Sequence, residues 1–440
     1  MTDGRTGRQR LVVIGNGMAA GRAMEDLFAH APGRYDVTVF GAEPRVNYNR
    51  IMLSPVLSGE ATYDTILIHD DAWYARHGVT LHRGVEVVAI DRAARTVTAR
   101  DGRVTPYDTL ILATGSSPFV PPIPGAALPG VRVYRDLDDV LAMREAARRG
   151  GKAVVIGGGL LGLEAAAGLA MCGMDTTVVH LMPTLMERQL DPEAGSMLRA
   201  AIERRGIAVR CCASTAAILG DTQVTGVRFA DGEEIAADLV IMAVGIRPNV
   251  ALAKAAGLEV KRGIVVDDGL RTSDPHILAL GECVEHRGQC YGLVAPLYEM
   301  AAVTAARLAG DGTAAYAGSV TATKLKVTGI KLFSAGDFAA AEGRDEIVLR
   351  DPDADHYRRL VLQGGQLIGA VLYGDTDDGA FFFDLVQKKA DVTSLRDALV
   401  FGMSFAEPQV LAAALAPARA PAGKRAQAGV EPELGLRKVA

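Results

Sequence analysis

The sequence predicts an α/β protein built from two repeated parallel-sheet units and a smaller α+β domain. Two observations carry this. A short apolar run, a glycine turn and a helical stretch follow one another twice, with the turns opening at Gly15 and Gly157, roughly 140 residues apart. Beyond residue 320 the pattern changes to short strand-like runs separated by turns. The length of 440 residues suits about three domains at roughly 150 residues each.

The elements follow in order. Residues 1–9 are polar and expected to be loose. Residues 11–14, Leu-Val-Val-Ile, read as a buried parallel strand, 19–28 as a helix and 36–40 as a second strand, a βαβ unit of about 30 residues. Residues 110–113 form another buried strand, ending at Thr114-Gly115. Pro118, Pro121, Pro122 and Pro124 read as a linker. Then the pattern repeats, with a strand at 153–156, a glycine turn at 157–162, a helix at 163–171 and strands at 176–179 and 239–244. Residues 264–282 return to a strand pattern ending at Gly281-Glu282, and 298–308 are helical. Strand-like runs at 324–328, 346–349, 359–362 and 367–373, with helix-like stretches at 381–389 and 395–399, make the third domain. Residues 416–440 lack apolar periodicity and are expected to be disordered. The expected boundaries are 9–118 with 250–318, 119–249, 319–412, and a tail at 413–440.

Composition excludes several classes. A net charge of −5 gives no case for nucleic-acid binding. No apolar stretch approaches the ~20 residues of a spanning helix, and the run at 11–14 is too short for a signal peptide. The five cysteines are scattered, with no C-x-x-C and no zinc or iron–sulfur spacing. No metal site is expected, and a reduced, cytoplasmic protein is.

Gly15-Asn16-Gly17-Met18-Ala19-Ala20 is a G-x-G-x-x-A directly after a strand. Gly15 allows the tight turn, Gly17 lets a pyrophosphate approach the backbone, and Ala20 lets the helix pack close to the strand. The helix N-terminus then faces the anion. Glu43, just past the second strand, can bind a ribose diol. Gly157-Gly158-Gly159-Leu160-Leu161-Gly162 is a full G-x-G-x-x-G in the same context, with Gly157, Gly159 and Gly162 in the corresponding roles. Two such Rossmann-like units imply two dinucleotides, a resident flavin and an exchanging nicotinamide, stacked for hydride transfer.

With Ala113-Thr114-Gly115, the run from Ala243 to Asn249, and Ala279-Leu280-Gly281-Glu282, these motifs resemble the FAD- and NAD(P)H-dependent pyridine nucleotide reductase superfamily. A glutathione-reductase-like fold is implied. Asn47-Tyr48-Asn49-Arg50-Ile51-Met52-Leu53-Ser54-Pro55, His180 to Asp191, and Gly281 to Gly288 resemble the flavoprotein half of assimilatory NAD(P)H nitrite reductases. The electron-transfer subunits of assimilatory nitrate reductases are similar. The resemblance implies FAD contacts from Gly15, Gly17, Ala20, Glu43, Arg50, Thr114, Gly115, Arg135, Glu282 and Ala295, with Val87 at the adenine and Pro296 opening the helix that points at the flavin ring. It places Gly157, Gly159, Gly162 and His180 on the NAD(P)H side, and Glu164 at the nicotinamide amide. A helix first-turn acid is the other reading of Glu164.

Three departures matter. Pro55 stands where many ferredoxin-reductase relatives have a Lys. His180, not an acid, ends the nicotinamide-side strand; with Arg188 it leaves the donor open, and the resemblance favours NADH. The single Trp, Trp73, is distant in sequence from the flavin helix, so no Trp stacking is expected there. The cysteines also speak: residues 18–153 hold none, which disfavours a disulfide reductase. Cys283 reads as a packing residue rather than a redox group.

The expected function is NAD(P)H oxidation through FAD, with electrons passed to a separate protein. That acceptor is a nitrite or nitrate reductase component, or a ferredoxin- or rubredoxin-like carrier. The alternatives are an NAD(P)H oxidase or peroxide reductase using Cys283, and a non-turnover NADH-sensing flavoprotein. The C-terminal domain, with Lys324, Lys326 and Lys331, is a candidate docking or homodimer surface, against the alternative of a solvated strand face.

Overall fold

Leu11, Val12 and Val13 are fully buried, as a strand covered on both faces demands. A computed structural model of the chain describes residues 7–405 other than Thr328; residues 1–6 and the tail expected at 413–440 lie outside these. The chain opens with β1 (Gln9–Ile14), α1 (Met18–His30) and β2 (Tyr35–Gly41). Next come α2 (Leu53–Ser58), β3 (Thr80–Arg83) and β4 (Thr109–Leu112). The expected linker is more ordered than its prolines suggest, because β5 (Ser116–Pro118) is a short strand.

The second unit comprises β6 (Val131–Val133), α3 (Leu137–Arg148), β7 (Lys152–Ile156), α4 (Leu160–Met171), β8 (Asp175–Val179), α5 (Pro192–Glu203), β9 (Ala208–Arg210) and β10 (Leu239–Met242). The chain returns through β11 (Ile246–Pro248), β12 (Ile277–Ala279) and α6 (Val294–Ala309). The first sheet has the order β12-β4-β1-β2-β3, and the second β9-β8-β7-β10-β6. Both are parallel throughout.

The repeat extends to single hydrogen bonds. Gly15 N–H donates to Phe40 O, and Gly157 N–H to Val179 O, each at 2.8 Å; Ala113 N–H to Ile14 O and Ala243 N–H to Ile156 O match as well. Gly15 and Gly157 have φ of +110° and +124°. A side chain at either would collide with the carbonyl of Ala113 or Ala243. Only glycine fits both the dihedral and the space.

Between β5 and β11 runs an antiparallel ribbon, with Ser117 opposite Arg247. The chain therefore leaves the first unit and re-enters it at one place. Arg247 lies over the Phe119 ring at 3.9 Å, closing this ribbon.

The third domain is a five-stranded antiparallel sheet formed by β13 (Ala322–Val327), β14 (Ile330–Gly336), β15 (Asp345–Asp351), β16 (His356–Gln363) and β17 (Gln366–Tyr373), with α7 (Gly379–Lys388) on one face. Its order is β13-β14-β17-β16-β15. The strand at 330–336 was not anticipated from the sequence. The other face is not free. Ile330, Leu332, Tyr357, Val371 and Tyr373 share one core with the second unit. At this junction Asp191, the N-cap of α5, is buried; it accepts the Tyr357 hydroxyl at 2.7 Å and pairs with Arg359 at 3.2 Å. Arg359 also bonds Glu346 at 2.6 Å and the Phe338 carbonyl at 3.1 Å.

Among the described residues no helix is long and apolar enough to cross a membrane. Removing one partner of a buried, hydrogen-bonded pair costs about 3–5 kcal/mol. Arg359→Ala is therefore expected to lower stability by that amount, measured as a fall in the urea midpoint at unchanged slope.

Candidate active site

The first unit, the second unit and the C-terminal sheet all open onto one cavity of about 1720 Å³. Pockets for a single small ligand are typically ~300–1,000 Å³, so this one has room for larger or paired ligands. Of the residues the sequence singled out, Gly15, Gly17, Ala20, Glu43, Arg50, Thr114, Gly115, Arg135, Glu164, Glu282 and Ala295 line it, as does Lys324 from β13. No cysteine is among its lining residues.

At one end Glu43 is held by two partners. Tyr48 donates its hydroxyl to Oε2 at 2.7 Å, and the Arg50 guanidinium pairs with Oε1. Arg50 also donates to the Arg135 carbonyl at 3.2 Å and lies over the Tyr48 ring. Each carboxylate oxygen keeps a second lone pair for a ligand hydroxyl.

In the middle the two units touch through charge. Arg135, between β6 and α3, pairs with Glu282, which follows β12. Ser116 donates to the same Glu282 oxygen at 2.7 Å, and Arg135 Nε to the Ser116 carbonyl at 3.2 Å. The other Glu282 oxygen makes no hydrogen bond among the described residues. Asp139 caps this corner by accepting the Arg135 N–H at 2.8 Å. Burial first, and Asp136 second, push its carboxyl up to about 6. Thr114 and Asn249 exchange hydrogen bonds across the ribbon, both at 2.8 Å.

Toward α4, Ser54 donates to Glu164 Oε2 at 2.7 Å and lies 2.8 Å from the Tyr134 hydroxyl. This contact depends on Gly168. A Cβ there would meet Leu57 Cδ2 at 2.6 Å, so glycine lets α2 lie directly on α4. Burial pushes the Glu164 carboxyl up, and the Ser54 hydrogen bond opposes it. Burial likewise pushes the Tyr134 hydroxyl up. Ser54, Tyr134 and Asn249 were not picked out from the sequence, although each lies beside or within a stretch that was.

Six of the predicted residues do not line the cavity: Val87, Gly157, Gly159, Gly162, His180 and Pro296. Val87 is buried in the first core. Pro296 is buried in the first turn of α6, between Ala295 and Leu297, which do line the cavity. His180 is nearly buried; its Nδ1 accepts the Gly158 N–H at 3.0 Å, so Nε2 carries the proton toward Glu187 at 3.0 Å. It thus braces the second glycine turn. Trp73 stacks on His69 at 3.8 Å and does not line the cavity. Cys283 is fully buried, with its thiol against the Leu280 and Leu112 carbonyls, and burial pushes its pKa up. Such a thiol packs rather than reacts.

The residues fit a bound dinucleotide. Gly17 and Gly159 are the N-cap residues of α1 and α4, with no side chain capping either helix and no acid in either first turn. A Cβ at Gly17 or Gly159 would meet nothing within 4 Å. The first N–H groups of both helices are left for an anion. Among the described residues no group of three or more His, Cys, Asp or Glu could hold a metal ion.

Comparison with known proteins agrees. Residues 9–309 match the family described as pyridine nucleotide-disulphide oxidoreductase, and 322–390 match the rubredoxin NAD+ reductase C-terminal domain. The chain is 49% identical over 387 residues to nitrite reductase [NAD(P)H] of Bacillus subtilis, covering 88% of this chain and 48% of that protein. It is 41% identical over 393 residues to the assimilatory nitrate reductase electron transfer subunit of the same organism, covering 89% and 51%. The chain spans about half the length of these relatives. Among solved structures, the covalent putidaredoxin reductase–putidaredoxin complex superimposes with a TM-score of 0.82 at 27% identity, covering 93% of this chain and 99% of that one. Family membership implies FAD and NAD(P)H as cofactors. From the doubled glycine turn to the cavity between the units, this chain belongs to the pyridine nucleotide-disulphide oxidoreductase family.

Proposed function

We propose that this chain oxidises NAD(P)H through FAD and passes the electrons singly to a separate protein. A nitrite or nitrate reductase component is the first choice of acceptor, and a ferredoxin- or rubredoxin-like carrier the second. The observation that carries this is the shared cavity. Arg135 from one unit bonds Glu282 of the other, and α4 brings Glu164 to the same space. FAD, when bound, supplies the hydride-accepting and electron-releasing chemistry.

The chain's own residues bind and orient. Gly15, Gly17 and Ala20 cradle the flavin pyrophosphate at the start of α1, and Glu43 takes the adenosine ribose, steadied by Arg50 and Tyr48. Arg135 and Glu282 hold the middle of the flavin nucleotide, with Thr114, Gly115 and Ala295 beside it. Gly157, Gly159 and Gly162 present α4 to the nicotinamide nucleotide, and Glu164 orients its amide. The placement of Cys283 in the core favours this reading over an oxidase or peroxide reductase that uses that thiol. The names of the two Bacillus subtilis relatives support the choice of acceptor.

His180 bears on donor choice. Its neutral ring is committed to Gly158 and Glu187. A carboxylate there repels a 2′-phosphate, so NADH is the preferred donor. Anaerobic titration tests the whole reading: one equivalent of NADH is expected to bleach the flavin absorbance, faster than NADPH does. A bound flavin that neither nucleotide reduces would overturn it. Glu187→Arg is expected to shift the ratio of kcat/KM values toward NADPH. Gly17→Val fills open space, so the chain stays folded while flavin affinity falls about tenfold or more, a loss of ~1.4 kcal/mol per decade, read by equilibrium dialysis. Gly15→Val, where the backbone itself forbids a side chain, is expected to unfold the unit instead.

A further inference from the structure

Pro55 follows Leu53-Ser54, so α2 carries no ammonium group beside Glu164. It carries a hydroxyl instead. Ser54 gives its one proton to Glu164 Oε2, at 2.7 Å. The Tyr134 hydroxyl, 2.8 Å away, must then donate to Ser54 Oγ. Two hydroxyls in series thus point at one carboxylate, and all three residues line the cavity. Burial pushes the Glu164 carboxyl up, the Ser54 hydrogen bond opposes it, and the Glu164 charge in turn raises the Tyr134 hydroxyl. Lys324 apart, the charged groups on the elements packed against α4 are engaged or remote. Arg144 on α3 bonds the Val56 carbonyl at 2.7 Å. Lys152 and Asp175 stand at the opposite ends of β7 and β8 from the glycine turn. α2 and β10 carry no charged residue. Lys324 on β13 lines the same cavity.

We propose that Tyr134, Ser54 and Glu164 form a proton-handling chain, in which Glu164 takes the proton left when a hydride's two electrons depart one at a time. This rests on the electron-transfer reading above. The balance leaves one proton that must be given a destination. The C4–H bond of NAD(P)H breaks and delivers one proton with two electrons. Two molecules of a one-electron acceptor are each reduced once. The remaining proton converts the Glu164 carboxylate to the acid and then leaves to water in the cavity. Ser54 and Tyr134 are positioning residues that aim the carboxylate and fix which oxygen is open to the proton.

The test uses the full chain loaded with FAD, with NADH as donor and ferricyanide as one-electron acceptor. Infrared difference spectra of the cycle, in H2O and in 2H2O, are expected to show the carbonyl stretch of a protonated carboxyl. That band moves in 2H2O, vanishes in Glu164→Gln, and shifts in Ser54→Ala and Tyr134→Phe. Ser54→Thr, which keeps the hydroxyl, restores its position. In stopped flow, Ser54→Ala is expected to slow reoxidation by ferricyanide about tenfold more than it slows reduction by NADH, less than the ~10²–10⁴-fold of losing a general acid–base group outright, because Ser54 only positions the carboxylate. If Glu164→Gln does not fold, the Ser54→Ala and Ser54→Thr pair decides. A wild-type chain reduced normally by NADH but with no such band, or with one indifferent to Ser54, overturns the proton chain alone. A wild-type chain that binds FAD but is not reduced overturns the function and this inference together.

Discussion

The contact between Arg135 and Glu282 is the constraint on which the cavity depends. The two residues follow strands of different sheets and are 147 positions apart in sequence. Their charges are mostly buried, with side-chain exposures of 19% and 12%. Charges so placed are tolerated only when paired and hydrogen-bonded. Ser116, on the ribbon that joins the units, completes the set. The chain's crossing point and its central ion pair are therefore one structure, and the orientation of one sheet against the other follows from it.

Around that contact the two glycine turns have diverged in use. Their backbone hydrogen bonds are the same, and so is the carbonyl that forbids a side chain. Yet the first turn faces the large cavity, whereas the second is braced from behind by His180 and lies off it. The difference lies in the segment after each second strand. After β2 the chain runs out into Glu43, Tyr48 and α2, which wall the cavity. After β8 it runs into His180 and Glu187, which fold back on the turn itself.

Much of this was legible in the sequence, because parallel strands and glycine turns write their signature locally. Apolar runs such as Val154-Val155-Ile156, each followed by glycine, need no distant partner to be recognised. The three-residue strands at 116–118 and 246–248 were not legible. Each is too short to show alternation, and each exists only because the other lies opposite. The strand at 330–336 escaped because alternation holds only over Ile330, Lys331 and Leu332 before the buried run Phe333-Ser334-Ala335 breaks the period. Cavity-lining positions were readable from residue type near a turn at Gly15 and Gly17, whereas Glu282 came from the family resemblance. Ser54 and Tyr134 have no such signal. They meet across 80 positions, and the contact of Ser54 with Glu164 depends on Gly168 leaving room for Leu57. No periodicity or spacing announces a space created by the absence of a side chain on another helix.

The same packing has a consequence for access. Tyr48, Leu53, Val56, Leu57 and Ile66 lie in one core with the second sheet and with the inner face of the C-terminal sheet. The excursion that walls the cavity is thus clamped between bodies that share their interior. Opening the crevice by swinging two lobes apart would tear that core. Entry is instead a local matter at the rim, where Ile51, Met52 and Leu161 are exposed. An incoming nucleotide meets walls already in place, and the ordering cost of assembling them falls on folding rather than on binding.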